Sequence, residues 1–184
     1  MKILVTGNRE KGLAQAISKI YPDADFFSRT TGFDLTNSQK QKELAQRCAD
    51  YDIIIVCSAL WKFNQSVLLD EIHQCCIKSN HRPHIITIGS TTDRVKNGKA
   101  WLYNAEKKAL RDYSNTLALG GVWGSGPKVT LISFGSLSNV QEKHPDRKCL
   151  DIDRAAQYIK WIIEQPSDVC VNEISIDPIQ APYE

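Results

Sequence analysis

The sequence predicts an α/β protein: a Rossmann-like, doubly wound, mainly parallel sheet of about seven strands with helices on both faces. Two observations carry this. Short β-type runs alternate with amphipathic stretches from end to end of the chain, the pattern of parallel strands joined by crossover helices. Several runs are apolar throughout, Ile53-Ile54-Ile55-Val56 above all, as strands covered on both faces are. The 184 residues show no internal repeat and no linker-like tract, so one domain is expected over 1–184.

The elements follow in order. Ile3 to Thr6 reads as the first strand, ended by Gly7. Gly12 to Ile20 reads as a helix, because Leu13, Ala16, Ile17 and Ile20 recur at helical spacing. Ala24 to Ser28 is a second strand and Asp34-Leu35 a very short third one. Thr36 or Asn37 caps a helix that runs to about Ala49. Asp52 to Cys57 is a strand, and a helix follows from Asn64 to Lys78. His84 to Ile88 is the next strand, ending in Gly89-Ser90, and a long helix runs from Trp101 to Leu119. Gly120 to Pro127 reads as a glycine-rich loop. Lys128 to Phe134 is a strand, Asp151 to Glu164 a helix, and Val169 to Ile176 the last strand.

Composition narrows the function. Hydrophobic residues make up 42% and charged residues 24%, with a net charge of +2. That balance is ordinary for a globular domain and gives no bulk attraction to nucleic acid or membrane. No apolar run reaches the roughly 18 residues needed to span a bilayer. The six cysteines form no C-x-x-C pair, and the four histidines lack ligand spacing to them. Reduced, packed thiols, no metal site and a cytoplasmic location are therefore expected.

In such a sheet, ligands bind beyond the carboxyl ends of the strands. The first turn, Thr6-Gly7-Asn8-Arg9-Glu10-Lys11-Gly12-Leu13-Ala14, has glycine at both ends. Backbone there can approach a phosphate closely, and the helix start offers free N–H groups and a positive dipole end. The second strand ends in Phe27-Ser28-Arg29-Thr30. An acidic residue at that tip suits the ribose hydroxyls of NAD, whereas arginine suits the 2′-phosphate of NADP. Arg29, with Arg9 in the first turn, points to NADP over NAD.

Tyr103 and Lys107 are four residues apart and so share one face of the long helix. Ser90 lies thirteen positions before the tyrosine, at the end of an apolar run. A phenol beside an ammonium is a proton donor with a lowered pKa, and a hydroxyl from a neighbouring strand can hold a carbonyl against it. Tyr-x-x-x-Lys alone is close to a chance spacing; the serine at a strand end and the tyrosine at a helix start make it a constellation.

With these residues in place, the chain resembles the short-chain dehydrogenases/reductases over nearly its whole length, as a truncated member. Thr6-Gly7 through Gly12-Leu13-Ala14 matches the family's glycine-rich turn, one residue shorter. Asp34-Leu35-Thr36 matches the element whose aspartate end lies near the adenine. Ser90, Tyr103 and Lys107 match the catalytic serine, tyrosine and lysine, and Asn64 stands for the asparagine that extends the proton relay. Ser133-Phe134-Gly135-Ser136 lies where the family has its turn near the nicotinamide. The resemblance implies NADP(H)-dependent hydride transfer to or from a carbonyl or alcohol. It implies cofactor contacts from Gly7, Asn8, Arg9, Gly12, Leu13, Ser28, Arg29, Asp34, Leu35, Ser58, Ala59, Leu60, Tyr103, Lys107, Phe134, Gly135 and Ser136. A homodimer or homotetramer is also implied, with Trp61, Phe63 and Trp101 as contact candidates; the alternative puts these aromatics at the active-site mouth or in the core.

The departures are specific. The family's Asn-Asn-Ala-Gly element appears as Cys57-Ser58-Ala59-Leu60. The interval from Arg29 to Asp34 is too short for a helix, and Ser138 to Cys149 offers a small lid at best. A second expectation is therefore a non-catalytic NADP(H)-binding regulatory or assembly protein of the same fold. The retained triad favours the enzyme.

Overall fold

The computed structural model describes residues 1–94, 101–143 and 145–181. Its elements are β1 (Ile3–Thr6), α1 (Gly12–Ile20), β2 (Asp25–Phe27), α2 (Ser38–Arg47), β3 (Ile53–Val56), α3 (Asn64–Lys78), β4 (His84–Ser90), α4 (Leu102–Val122), β5 (Lys128–Phe134), α5 (Ile152–Ile163) and β6 (Glu173–Ile176). Among the described residues they build one six-stranded sheet in the order β2-β1-β3-β4-β5-β6. Every neighbouring pair is parallel.

Alternate residues of the strands feed two cores. Leu4, Ile54, Val56, Ile85, Val129 and Leu131 pack with Leu44 of α2, Leu68 and Ile72 of α3, and Leu110 and Leu117 of α4. Ile3, Val5, Ile53, Ile55, Ile86 and Ile132 pack with Leu13, Ala16 and Ile17 of α1 and Ala155, Ala156 and Ile159 of α5. Both faces are covered, so the strands read as continuous apolar runs. Each fully buried Leu or Ile contributes about 1.5–3 kcal/mol, so this two-sided core is the main source of stability. The chain leaves β1 for β2 on one side of the sheet and continues from β3 on the other. The order thus reverses between β1 and β3, which opens a crevice at their carboxyl ends.

The sheet has six strands rather than seven because Asp34-Leu35 is a turn, not a strand. The Thr36 N–H and hydroxyl both donate to Asp34 Oδ1, at 3.1 and 2.8 Å. This local turn competes with strand pairing and leads directly into α2. Asn37 caps that helix by accepting from the N–H groups of Gln39 and Lys40. β6 is also shorter than the sequence indicates; the carbonyl of Val169 accepts from Lys128 Nζ instead of joining the ladder.

The segment Gly120 to Pro127 is not wholly loop, since α4 continues through Val122. A Cβ on Gly121 would lie 2.5 Å from the Pro127 carbonyl oxygen and 3.1 Å from Lys128 Cα. The glycine is there for close approach of helix to strand rather than to end the helix. Gly121→Ala is expected to lower unfolding stability by about 1–3 kcal/mol despite alanine's better helix propensity. Urea denaturation checks this: the midpoint should fall with an unchanged m-value, and an unchanged midpoint would refute the packing argument.

Among the described residues no helix is long and apolar enough to cross a membrane.

Candidate active site

A cleft of about 970 Å³ runs along the carboxyl ends of the strands. Gly7, Asn8, Lys11 and Leu13 line one end; Ser90, Thr92, Trp61, Trp101, Tyr103 and Lys107 line the other, with Ala59, Phe134, Gly135 and Ser136 also on its walls. Its size is that of a small-molecule or cofactor site.

The first end is built by the turn after β1. Gly7 has φ of 140° and Gly12 φ of 56°, both in the region that favours glycine. A Cβ on Gly7 would sit 3.0 Å from Ala14 Cβ, so the glycine also lets α1 pack down onto the strand. No side chain caps the α1 N-terminus and no acidic residue sits in its first turn. Its N–H groups are left for a ligand, in the arrangement that favours a phosphate. These features fit the diphosphate of a dinucleotide.

The other end is built by β4 and α4. Thr92 donates to the Ser90 hydroxyl from both its own hydroxyl, at 2.9 Å, and its N–H, at 3.3 Å. Both acceptor positions of Ser90 are thereby filled, so its own proton is the one it gives, and in this structure it goes to the Tyr103 phenol oxygen. The Thr91 hydroxyl is engaged with another partner in the cleft, donating to Asp177 Oδ1 at 2.6 Å. Asn104 donates to the carbonyls of Thr92 and Arg94, tying α4 to the turn after β4. Gly89 permits close packing of β4 on β5, since a Cβ there would meet Ser133 Oγ at 2.5 Å.

Lys107 is buried at 5% exposure. Its Nζ donates to Gln65 Oε1 at 2.6 Å and to the Ile88 carbonyl at 3.4 Å. Burial pulls its pKa down to about 8, against the upward effects of Cys57, Glu106 and Asp93. The Nζ lies 5.5 Å from the centre of the Tyr103 ring. Tyr103 departs from expectation: its pKa is raised, not lowered. Burial is the main cause and Glu106 adds to it, while the hydrogen bond to Ser90 opposes them.

Asn64 does not reach this constellation. Its amide donates to the Trp61 carbonyl at 2.7 Å, and its Oδ1 lies 3.4 Å from Gln41 Nε2. The next residue, Gln65, takes the position facing Lys107 and is locked there by donating to the Ile88 carbonyl at 2.8 Å. One residue along a helix is about 100° of rotation, so the inward side chain is the neighbour of the expected one.

The remaining expected cofactor residues divide. Arg9 donates to the Pro22 carbonyl at 2.8 Å, with its guanidinium 5.5 Å from the Phe26 ring centre. Arg9, Ser28 and Asn8 border a second hollow of about 420 Å³ beside β2. Arg29 is exposed on the 3-10 turn that follows β2. Asp34 is held below the usual carboxylate range, first by the Thr36 hydroxyl and N–H and last by Arg29. Leu35 is buried in the core. Ser58 is fixed through its N–H, which donates to Thr6 Oγ1 at 3.1 Å. Leu60 turns into the core against the α3 and α4 cluster, so a side chain is tolerated where the resembled family keeps glycine.

No protein-family model matches the chain. An uncharacterised oxidoreductase of Staphylococcus saprophyticus is 25% identical over 97% of this chain and 87% of the relative. The closed form of a serine dehydrogenase complexed with NADP+ superposes with a TM-score of 0.75 at 17% identity, covering 100% of this chain and 97% of that one. A 4-hydroxyisoleucine dehydrogenase mutant complexed with NADH and succinate gives 0.77 at 15% identity, covering 98% of each. The fold is that of the short-chain dehydrogenases/reductases.

Proposed function

We propose that this chain, which carries the short-chain dehydrogenase/reductase fold, is an NADP(H)-dependent oxidoreductase that interconverts a carbonyl and an alcohol, with Tyr103 as acid/base. The observation that carries the reading is convergence. A serine hydroxyl, a phenol and a buried ammonium meet at one end of a cleft whose other end is an uncapped helix start on a glycine turn. The relative and the superposed structures are oxidoreductases by name, with NADP+ in one and NADH in another.

In this reading Gly7, Asn8, Gly12 and Leu13 with the α1 N-terminus hold the diphosphate. Ser28, Arg29 and a reoriented Arg9 take the 2′-phosphate, and Asp34 and Leu35 lie towards the adenine. Ser58, Ala59, Leu60, Phe134, Gly135 and Ser136 flank the nicotinamide half, and Lys107 bonds its ribose. When bound, the reduced nicotinamide supplies the hydride.

The chain's own residues manage the oxygen. Ser90 turns its proton from the phenol oxygen to a hydrogen bond with the carbonyl oxygen and so polarises it. Tyr103 transfers its phenolic proton to that oxygen as negative charge develops there. The phenolate left behind is favoured by the Lys107 ammonium, which Gln65 holds in place. Alcohol oxidation runs the same proton in reverse.

The test is titration with NADPH and NADH, followed by NADPH oxidation over a panel of aldehydes and ketones. NADPH is expected to bind tighter than NADH by about tenfold, the worth of one charge-assisted phosphate contact, and at least one carbonyl should be reduced. Tight NADPH binding with no turnover would favour the regulatory or assembly role, and tighter NADH binding would overturn the NADP preference.

A further inference from the structure

We propose that Trp61 and Trp101 form an aromatic wall beside Tyr103, and that the substrate it receives is a flat, uncharged ring compound bearing the reacting carbonyl. This rests on the function proposed above and specifies its substrate class.

Both indoles stand in contact distance of the catalytic ring. Their centroids lie 4.9 Å (Trp61) and 5.2 Å (Trp101) from that of Tyr103, tilted at 45° and 41°. Both line the cleft, yet 58% of Trp61 and 52% of Trp101 stays exposed. Apolar surface of that size gains by being covered, and because it lines the cleft beside the proton donor, a substrate seated against Tyr103 covers it.

Trp61 is held in this position by a loop that works against the backbone preference of the residues after it. The two residues after it, Lys62 and Phe63, are non-glycine residues with φ of 58° and 59°, an uncommon conformation for side-chain-bearing residues. Two bonds fix it: Glu106 Oε1 accepts from the Lys62 N–H at 2.8 Å, and the Asn64 amide donates to the Trp61 carbonyl at 2.7 Å. Glu106 lies one helical turn beyond Tyr103 on α4, so the loop and the acid are set by one element. Trp101 immediately precedes α4, and its carbonyl accepts from the Asn104 N–H at 3.0 Å. Both walls are therefore registered to Tyr103.

Charge decides the substrate's character. Arg94 and Asp177, at the turn after β4 and the segment after β6, neutralise each other at 2.8 Å, and Asp177 also accepts the Thr91 hydroxyl. The cations lining the cleft are Lys11 and Arg147, at the α1 N-terminus and the segment after β5, and Lys107, which is buried and bonded to Gln65 and the Ile88 carbonyl. Apart from the buried Lys107 ammonium, which is bonded within the fold, the described exposed surface beside Tyr103 is indole, phenol and hydroxyl, suited to a neutral π face.

The experiment compares 4-nitrobenzaldehyde, cyclohexanecarbaldehyde and 4-carboxybenzaldehyde with NADPH. It uses wild type, Trp61→Ala, Trp101→Ala and Trp61→Phe, alongside tryptophan-fluorescence titration with unreactive nitrobenzene. The neutral aromatic aldehyde should show the lowest KM. Each alanine variant should raise that KM by several-fold to about tenfold, the range of an aromatic pair, with little change for the cyclohexane aldehyde and recovery in Trp61→Phe. Nitrobenzene should quench saturably in wild type and Tyr103→Phe, but not in the double alanine variant. Equal KM for ring and cyclohexane aldehydes, or no saturable quenching, overturns the wall. A preference for the carboxylated aldehyde overturns the neutral substrate class. Saturable quenching without any turnover supports the wall while refuting the proposed enzyme.

Discussion

Replacing Tyr103 with phenylalanine is expected to cut kcat/KM for carbonyl reduction by about 10²–10⁴, the usual worth of a positioned general acid. NADPH affinity and thermal stability should stay close to wild type. The phenyl ring keeps the contacts with Trp61 and Trp101 at 4.9 and 5.2 Å. Only the phenolic hydroxyl and its hydrogen bond to Ser90 are lost, about 0.5–1.5 kcal/mol of stability at most. A loss of activity without loss of fold or binding identifies a group that works on the reacting atoms. Steady-state kinetics, NADPH titration and thermal denaturation on the same preparation check it. Activity within tenfold of wild type would remove Tyr103 from the mechanism.

The pH profile belongs to the same prediction. The Tyr103 pKa is raised above the tyrosine value of 10.0, by burial first. The acid form of the phenol therefore persists through the neutral range, and reduction should run on a plateau there and fall above about pH 8, where Lys107 loses the proton that favours the phenolate. Alcohol oxidation needs the phenolate and should rise steadily towards alkaline pH. In Tyr103→Phe the residual rate should show neither trend.

The parts of the fold legible in the sequence were those whose residues answer to one force. β1, α3 and β5 lie at their expected positions, because a doubly buried strand must be apolar throughout and α3 must present an apolar stripe. Asp34-Leu35 was misread because an Asp-Leu pair suits a strand end or a turn equally; the Thr36 hydroxyl on Asp34 decides it. Gly120 and Gly121 read as punctuation, whereas the crowding of Gly121 against Pro127 is a tertiary fact. In the site, Ser90, Tyr103 and Lys107 were legible as a spacing. Gln65 was not, since the phase of α3 depends on where the helix starts. That start follows the left-handed pair Lys62-Phe63, a conformation no local residue preference announces. The aromatic contact of Trp61 and Trp101 with Tyr103 likewise depends on a loop held by Glu106 from another element.

Lys107→Met should abolish most activity while separating the lysine's chemical role from its structural cost. The activity loss is expected to be about 10²-fold or more, because the phenolate left on Tyr103 loses its neighbouring cation. Stability should respond differently. The folded-state pKa of Lys107 is lowered from 10.5 to about 8, chiefly by burial. A lysine shifted in that direction destabilises the fold wherever the unfolded chain binds the proton more strongly. The penalty is absent above the unfolded value and complete below the folded one. At about 1.4 kcal/mol per unit, wild-type stability should therefore gain about 3 kcal/mol from this group between pH 8 and pH 10.5. Methionine carries no proton, so the variant lacks this gain. It also leaves Gln65 Oε1 without the donor it meets at 2.6 Å, a cost of about 1–3 kcal/mol that does not vary with pH in this window. The stability difference between wild type and Lys107→Met should thus change with pH in favour of wild type as pH rises, whatever its sign at neutrality. Urea unfolding of both proteins at several pH values across the window reads it out. Parallel curves would mean that Lys107 titrates in the fold as it does in water, and that its burial carries no electrostatic cost.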